Sequence, residues 1–167
     1  WSKLFVNTAD STPNKSIQTS AELDKHFKNG KPYNILLLGY GGGTHEGAYL
    51  TDSILDVNID PLAKKITLIS IPRDIWVQFP DSFNIGDHWK VNAAYAIGVN
   101  DKDFPQKPRE LQGTSGGISL EKYAVSEIIG KPVDKVVLVD FEGFIKTTNQ
   151  LGGIDVAIDK TFDDYQY

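Results

Sequence analysis

The side chains best suited to chemistry are an arginine and an aspartate set side by side, Arg73 and Asp74. They follow an apolar run, Ile66 to Ile71, and a proline. A guanidinium at the end of a strand can grip a phosphate through two parallel hydrogen bonds. Asp74 would orient it or neutralise it, and a purely structural ion pair is the plain alternative. Asp52, just after Thr51 at the entrance of another strand, is a candidate carboxylate for a metal or phosphate site, or a simple turn aspartate. Lys90 and Asn92 add a cation and an amide in a separate loop.

The glycine-rich stretch "GYGGGTHEGAYLTDS" meets neither phosphate-binding pattern. No lysine follows its glycines, and Thr44 stands where the dinucleotide pattern needs glycine. It reads as a flexible turn or as backbone that lets a large ligand approach closely. His45 and Glu46 lie within it and are weak metal candidates. His26 and His88 show no ligand spacing. There is no G-x-S-x-G elbow, no H-E-x-x-H and no Ser–His–Asp order. What remains is a phosphate-type site made of arginine, lysine, carboxylate and backbone.

Composition narrows the classes. The chain has 167 residues, 40% of them hydrophobic, enough for one domain with a core. Its net charge of -5 argues against a general nucleic-acid binder, which needs a basic face. Without cysteine it has no disulfide, thiol catalysis or cysteine metal site. It also lacks methionine and begins at Trp1, which reads as a piece of something longer. No apolar run approaches the roughly 20 residues that span a bilayer, so an anchor or signal peptide is expected outside it.

The elements that must position these residues alternate between strand and helix. Residues 1–18 are polar and read as a linker or N-terminal arm. Residues 19–167 then form the domain. Thr19 and Glu22 make a capping box for a short helix stopped by Gly30. Ile35 to Leu38 read as a central strand buried on both faces. In "SILDVNID", Leu55, Val57 and Ile59 alternate with Asp56, Asn58 and Asp60, which predicts one wet face. "ITLISIP" returns as the second arm of an antiparallel hairpin. Pro80 to Lys90 reads as loop, and a helix starts near Asn92. Residues 100–118 read as a surface loop, with Ser119 capping a helix that Gly130 closes. "KVVLVDF" is a buried strand, "EGFIKTTNQLGG" a helix and "IDVAI" a final strand. The expected class is α/β, with a mixed central sheet. Ligands of open α/β sheets collect where strands give out into loops. The glycine loop, "PRD" and "DFEGF" therefore line one crevice if their strands run suitably.

Together the segments "NILLLG", "LTDSILDVNIDP", "ITLISIPRD", "KVNAAYAIG", "VDFEGF" and "LGGIDV" resemble the LytR–CpsA–Psr family, in its order, across residues 34 to 156. The resemblance implies a three-layer α/β/α fold and an extracytoplasmic, membrane-anchored bacterial enzyme. Such proteins transfer phosphate-linked glycopolymers from a polyprenyl-pyrophosphate carrier to peptidoglycan, with magnesium (Mg2+). Arg73 matches the family's pyrophosphate-contacting arginine and Asp52 its D-T/D-S aspartate, the implied metal ligand. Lys90 matches the lysine of K-x-N-A-A-Y, with Asn92 in the same motif, and Asp74 accompanies Arg73 at the substrate. The strands beside these loops would suit a pocket for the prenyl tail.

Two positions depart from the pattern. Gly41 stands where the family usually has an aspartate, and the arginine that usually precedes the D-T pair is replaced within "YLT". Either departure weakens the metal site, and Glu46 or His45 could replace the lost ligand. The family's C-terminal arginine-rich segment is expected beyond Tyr167. Two rival readings stay open: a non-catalytic binder of polyprenyl phosphate or wall glycan, and a polyprenyl pyrophosphatase.

Overall fold

The computed structural model describes residues 5–8, by their backbone, and residues 29–157. The helix expected from Thr19 lies outside the described residues. Seven strands are described: β1 (Phe5–Thr8), β2 (Tyr33–Tyr40), β3 (Thr51–Asp60), β4 (Lys65–Ser70), β5 (Trp76–Gln78), β6 (His88–Lys90) and β7 (Lys135–Asp140). Three α-helices join them: α1 (Ala93–Val99), α2 (Gly113–Ile129) and α3 (Phe141–Gln150).

The main sheet has the order β1-β7-β2-β3-β4. β2 runs parallel to β7, and the other pairings are antiparallel. The mixed α/β sheet expected from the sequence is therefore present. The expected hairpin is β3–β4, closed by a turn in which Asp60 Oδ1 accepts from the Ala63 N–H at 2.9 Å. One part of the predicted arm, Phe5–Thr8, is an edge strand on β7.

One face of the sheet is sealed. Leu36, Leu38, Ile54, Val136 and Leu138 pack there with Val91, Ala94, Ile118 and Val125 from the helical side. The other face remains open among the described residues. Ile35 and Leu37 are only half-buried, and Ile66 and Leu68 are exposed. The expectation of burial on both faces of β2 thus holds for one face.

The reading of β3 is inverted. Its predicted wet face carries Asp56, which is 1% exposed, while Leu55 and Val57 lie half-buried on the open side. Alternation showed that the two faces differ, but not which one the helices cover. Asp56 sits opposite Leu36 and Ile69, and its Oδ1 has no hydrogen-bond partner. Burial raises its pKa. A carboxyl raised in this way loses stability as pH rises through its folded pKa. Asp56→Asn cannot ionise, so it should raise stability at neutral pH by about 1 kcal/mol, or about 2–4 °C in melting temperature. A thermal melt checks this, and a lower melting temperature in the variant would mean that the carboxylate is satisfied.

Three further expectations are corrected. Pro80 to Lys90 is not all loop: it contains a short 3-10 turn at Asp81–Phe83 and strand β6. The stretch 100–118 is not all loop either, because α2 begins at Gly113 and Ser119 lies within it. The Ser119 hydroxyl donates back to the Ser115 carbonyl at 2.9 Å instead of capping. The glycines that suggested a loop serve a close helix crossing. A Cβ on Gly98 of α1 would lie 2.3 Å from Gly117 Cα, so only bare backbone fits there. Finally, "IDVAI" forms no strand over its described residues 154–157, which follow the positive-φ glycines Gly152 and Gly153.

Candidate functional site

Strand direction brings the candidate loops together. β3 is antiparallel to both β2 and β4, and β7 is parallel to β2. The start of β3 therefore shares one edge of the sheet with the ends of β2, β4 and β7. That edge carries Asp52, the glycine loop, Arg73–Asp74 and Asp140. The crevice expected from the three loops is thus topologically consistent. The glycine loop and the "DFEGF" segment touch, because a Cβ on Gly42 would stand 3.1 Å from Asp140 Cβ.

A two-stranded ribbon, β5 with β6, adds Lys90 to the group. It places Trp76 opposite Lys90. Beyond it, the Val91 N–H donates to the Ile75 carbonyl at 2.7 Å and the Asn92 N–H to the Arg73 carbonyl at 3.4 Å. Two segments about seventeen residues apart in sequence are so held backbone to backbone.

The side chains form an alternating row of charge. Arg73 Nη1 donates to Asp52 Oδ1 at 2.7 Å. Its Nε lies 3.8 Å from Asp74 Oδ2. Lys90 Nζ donates to Asp74 Oδ1 at 2.6 Å. The hydrogen bond from Lys90, then its charge and that of Arg73, hold the Asp74 carboxyl below the usual range. About half of the Arg73 and Asp52 side chains is open to solvent, so the row is accessible to an incoming anion.

Asn92 differs from these four. It is 7% exposed and N-caps α1 by position, without a side-chain cap bond. Its carbonyl accepts from the Thr51 N–H at 3.1 Å and lies 3.3 Å from the Thr51 hydroxyl. It is better placed to fix the edge than to meet a ligand. Thr51 also contacts Glu121 of α2, a wholly buried acid that the sequence reading passed over. A signal existed: Glu121 sits three residues after Ile118 and four before Val125, in the apolar stripe of its helix.

The residues do not form a metal cage. Among the described residues, no group of three or more His, Cys, Asp or Glu side chains is close enough to hold an ion. Asp52 is engaged by Arg73, and Gly41 offers no side chain. The imidazole of His45 lies beside Gly41: a Cβ there would be 3.1 Å from His45 Nε2. Its Nδ1 is 2.9 Å from the Glu46 carbonyl. Both proposed substitutes are exposed, and of the two His45 is the one whose side chain lies beside position 41.

Two clefts flank the edge. One, of about 210 Å³, is lined by Gly39, Tyr40, Ser53, Val139, Asp140, Phe141 and Phe144 and is mostly apolar. A broader groove of about 680 Å³ runs between the glycine loop and α1, past His45, Tyr49 and Asn100.

A profile of the LytR_cpsA_psr family matches residues 3–167. The chain belongs to the LytR_cpsA_psr family. A curated relative, the polyisoprenyl-teichoic acid–peptidoglycan teichoic acid transferase TagV of Bacillus subtilis, is 33% identical over 80% of this chain and 30% of its own length. The transferase TagU of Enterococcus faecalis is 26% identical over 92% of this chain and 44% of its own. The crystal structure of B. subtilis TagV superposes with a TM-score of 0.59, covering 81% of this chain and 46% of that one. This LytR_cpsA_psr chain thus spans less than half the length of these relatives. The alternating row lies on segments that carried the resemblance, "LTDS", "PRD" and "KVN".

Proposed function

We propose that this LytR_cpsA_psr chain receives the pyrophosphate of a polyprenyl-linked glycopolymer and takes part in transferring that polymer to peptidoglycan. The observation that carries the reading is the accessible row Asp52–Arg73–Asp74–Lys90 at the edge where the strands give out. TagV and TagU, relatives in sequence named as teichoic acid transferases, support the same class.

The chemistry is a phosphoryl transfer. An acceptor hydroxyl forms a bond to the phosphorus that carries the polymer. The bond from that phosphorus to the bridging oxygen breaks, and polyprenyl phosphate leaves. Arg73 and Lys90 bind non-bridging oxygens and offset their charge. To do so each gives up a carboxylate partner. Asp52, once released by Arg73, can take the hydroxyl proton. Positioning supplies much of the rate. The apolar cleft bounded by Phe141 and Phe144 suits the first isoprene units of the carrier. In this reading the protein works outside the cytoplasm, anchored at the membrane.

Magnesium is expected only with the lipid. One carboxylate already bound to a guanidinium holds it poorly, whereas a pyrophosphate adds oxygens that this ion favours. Calorimetry should find weak or no magnesium binding to the protein alone and clear binding once prenyl pyrophosphate is present. Tight binding to the free protein that survives Asp52→Ala would place the metal elsewhere.

The direct test incubates the protein with a prenyl-pyrophosphate-linked glycan, with and without a peptidoglycan acceptor. Transfer supports the reading. Phosphate release without acceptor identifies a pyrophosphatase, and binding without turnover a lipid or glycan binder, the outcome favoured by Gly41.

A further inference from the structure

Glu121 is a carboxyl with no water to solvate it. It lies on α2 at 0% exposure, among Leu120, Ala124 and Val125. Its Oε2 accepts from the Tyr95 N–H at 2.9 Å, in the first turn of α1. Its Oε1 is 2.9 Å from Thr51 Oγ1 at the start of β3. Thr51 Oγ1 is also 3.3 Å from the Asn92 carbonyl.

The hydrogens available favour one arrangement. The Thr51 hydroxyl has one hydrogen and faces two acceptors if Glu121 is ionised. Both contacts are full hydrogen bonds only if Glu121 Oε1 carries the proton and donates to Thr51 Oγ1. The hydroxyl is then free to donate to the Asn92 carbonyl. Every polar atom in the row is satisfied in that state, whereas ionisation leaves the Asn92 carbonyl only its bond from the Thr51 N–H and buries a charge without water or a cation.

We propose that Glu121 is a positioning residue, a neutral acid that clamps the Thr51–Asp52 strand end to the Asn92–Tyr95 turn and so fixes the spacing of Asp52 and Lys90. The row runs from the Tyr95 N–H through the carboxyl and the Thr51 hydroxyl to the Asn92 carbonyl. Asp52 is the next residue after Thr51, and Lys90 stands two before Asn92. A shift at Thr51 therefore moves one end of the charged row relative to the other.

Burial agrees with the neutral state. It pushes the Glu121 carboxyl up to about 8, against the opposing pull of the Thr51 and Tyr95 hydrogen bonds. The charged and titratable groups around it are Asp52, Asp56 and Asp60 on β3, Tyr95 on α1, Arg109 and Glu110 on the 3-10 turn Arg109–Leu111 that packs against α2, and Lys122, Tyr123 and Glu127 on α2 itself. The Tyr95 phenol is raised by its own burial, and its ring packs tilted against those of Tyr40 and Tyr49. Among the described residues Glu121 has no ion-pair partner, so only its hydrogen bonds with Thr51 and Tyr95 favour its charged form.

The test compares the wild type with Glu121→Gln and Glu121→Ala. The amide of Gln reproduces the neutral acid: its nitrogen donates to Thr51 and its oxygen accepts from Tyr95. First, carboxyl-carbon NMR of the wild type follows the titration of Glu121. Second, melting temperature is recorded from pH 5 to 9 without ligand. Third, geranylgeranyl pyrophosphate binding is measured at pH 6.5 and 9. We expect Glu121 to titrate well above the ordinary carboxylate range. The wild type should melt lower as pH rises, a trend flattened in Glu121→Gln. Glu121→Gln should keep the affinity of the wild type at pH 6.5 and hold it at pH 9, while Glu121→Ala loses on the order of tenfold or more.

A midpoint in the ordinary carboxylate range overturns the proposal, and so does an equal pH trend in Glu121→Gln. Only the binding arm rests on the proposed function. If the wild type binds no prenyl pyrophosphate, that reading fails while the first two measurements still judge Glu121. If Glu121→Ala does not fold, the wild-type titration and the Gln variant decide.

Discussion

Arg73→Lys should bind prenyl pyrophosphate almost as poorly as Arg73→Ala. The guanidinium spans two carboxylates, with Nη1 at 2.7 Å from Asp52 and Nε at 3.8 Å from Asp74. It is thereby fixed in direction as well as in place. A lysine keeps the charge but not the planar fork, and its single nitrogen cannot face both carboxylates from the same backbone position. A charge-assisted bond is worth about 1.5–3 kcal/mol, so the loss should be about tenfold to a hundredfold in affinity. The row is half-exposed, and exposed pairs add little to folding. Melting temperature should therefore change little, which separates a binding defect from unfolding. Titration calorimetry on both variants measures the loss. Full affinity in Arg73→Ala would remove Arg73 from the binding site.

The largest effect on stability is expected at the α1–α2 crossing. In Gly98→Ala the new Cβ would stand 2.3 Å from Gly117 Cα and 2.7 Å from the Gly116 carbonyl carbon. These are backbone atoms, so no rotamer change makes room. The helices must move apart, and Val91, Ala94, Ile97 and Ile118 lose their packing with them. Gly116→Ala meets the Leu111 carbonyl carbon at 2.1 Å in the same way. Overpacking a core costs about 1–3 kcal/mol, and backbone clashes lie at the upper end or beyond. The variants should lose several degrees of melting temperature or fail to fold. A melt within 1 °C of the wild type, about the noise expected of a neutral surface change, would mean that the helices do not cross this closely.

The sequence made the charged edge legible because its parts are local. Arg73 and Asp74 follow a strand that stops at proline, and Asp52 stands at the entrance of another. Chain direction in a β-hairpin then brings both to one edge without further information. The burial of Asp56 was not legible. Period-two alternation separates two faces but cannot say which one α1 and α2 cover, and here both faces carry apolar residues. The start of α2 was hidden for a related reason. Glycine is a poor helix former, so Gly113, Gly116 and Gly117 read as loop. Their use depends on Gly98, a long-range contact that no local pattern records. Glu121 escaped notice because a glutamate in a helix usually faces water, although its place in the apolar stripe marked it.

The charged row also bears on how fast a ligand is found. Two cations and two anions alternate over a few ångströms, so their fields cancel at distance. The chain as a whole carries a net charge of -5. An anionic headgroup diffusing in bulk is therefore not drawn in from afar, as it would be towards an uncompensated basic cleft. Attraction begins only within contact range, when an oxygen is close enough to replace a carboxylate on Arg73 or Lys90. Association should accordingly be slow per encounter and nearly indifferent to ionic strength. Such a site discriminates against stray phosphates by ignoring them until something else has brought the headgroup to its edge, and the hydrocarbon chain of a lipid can do that.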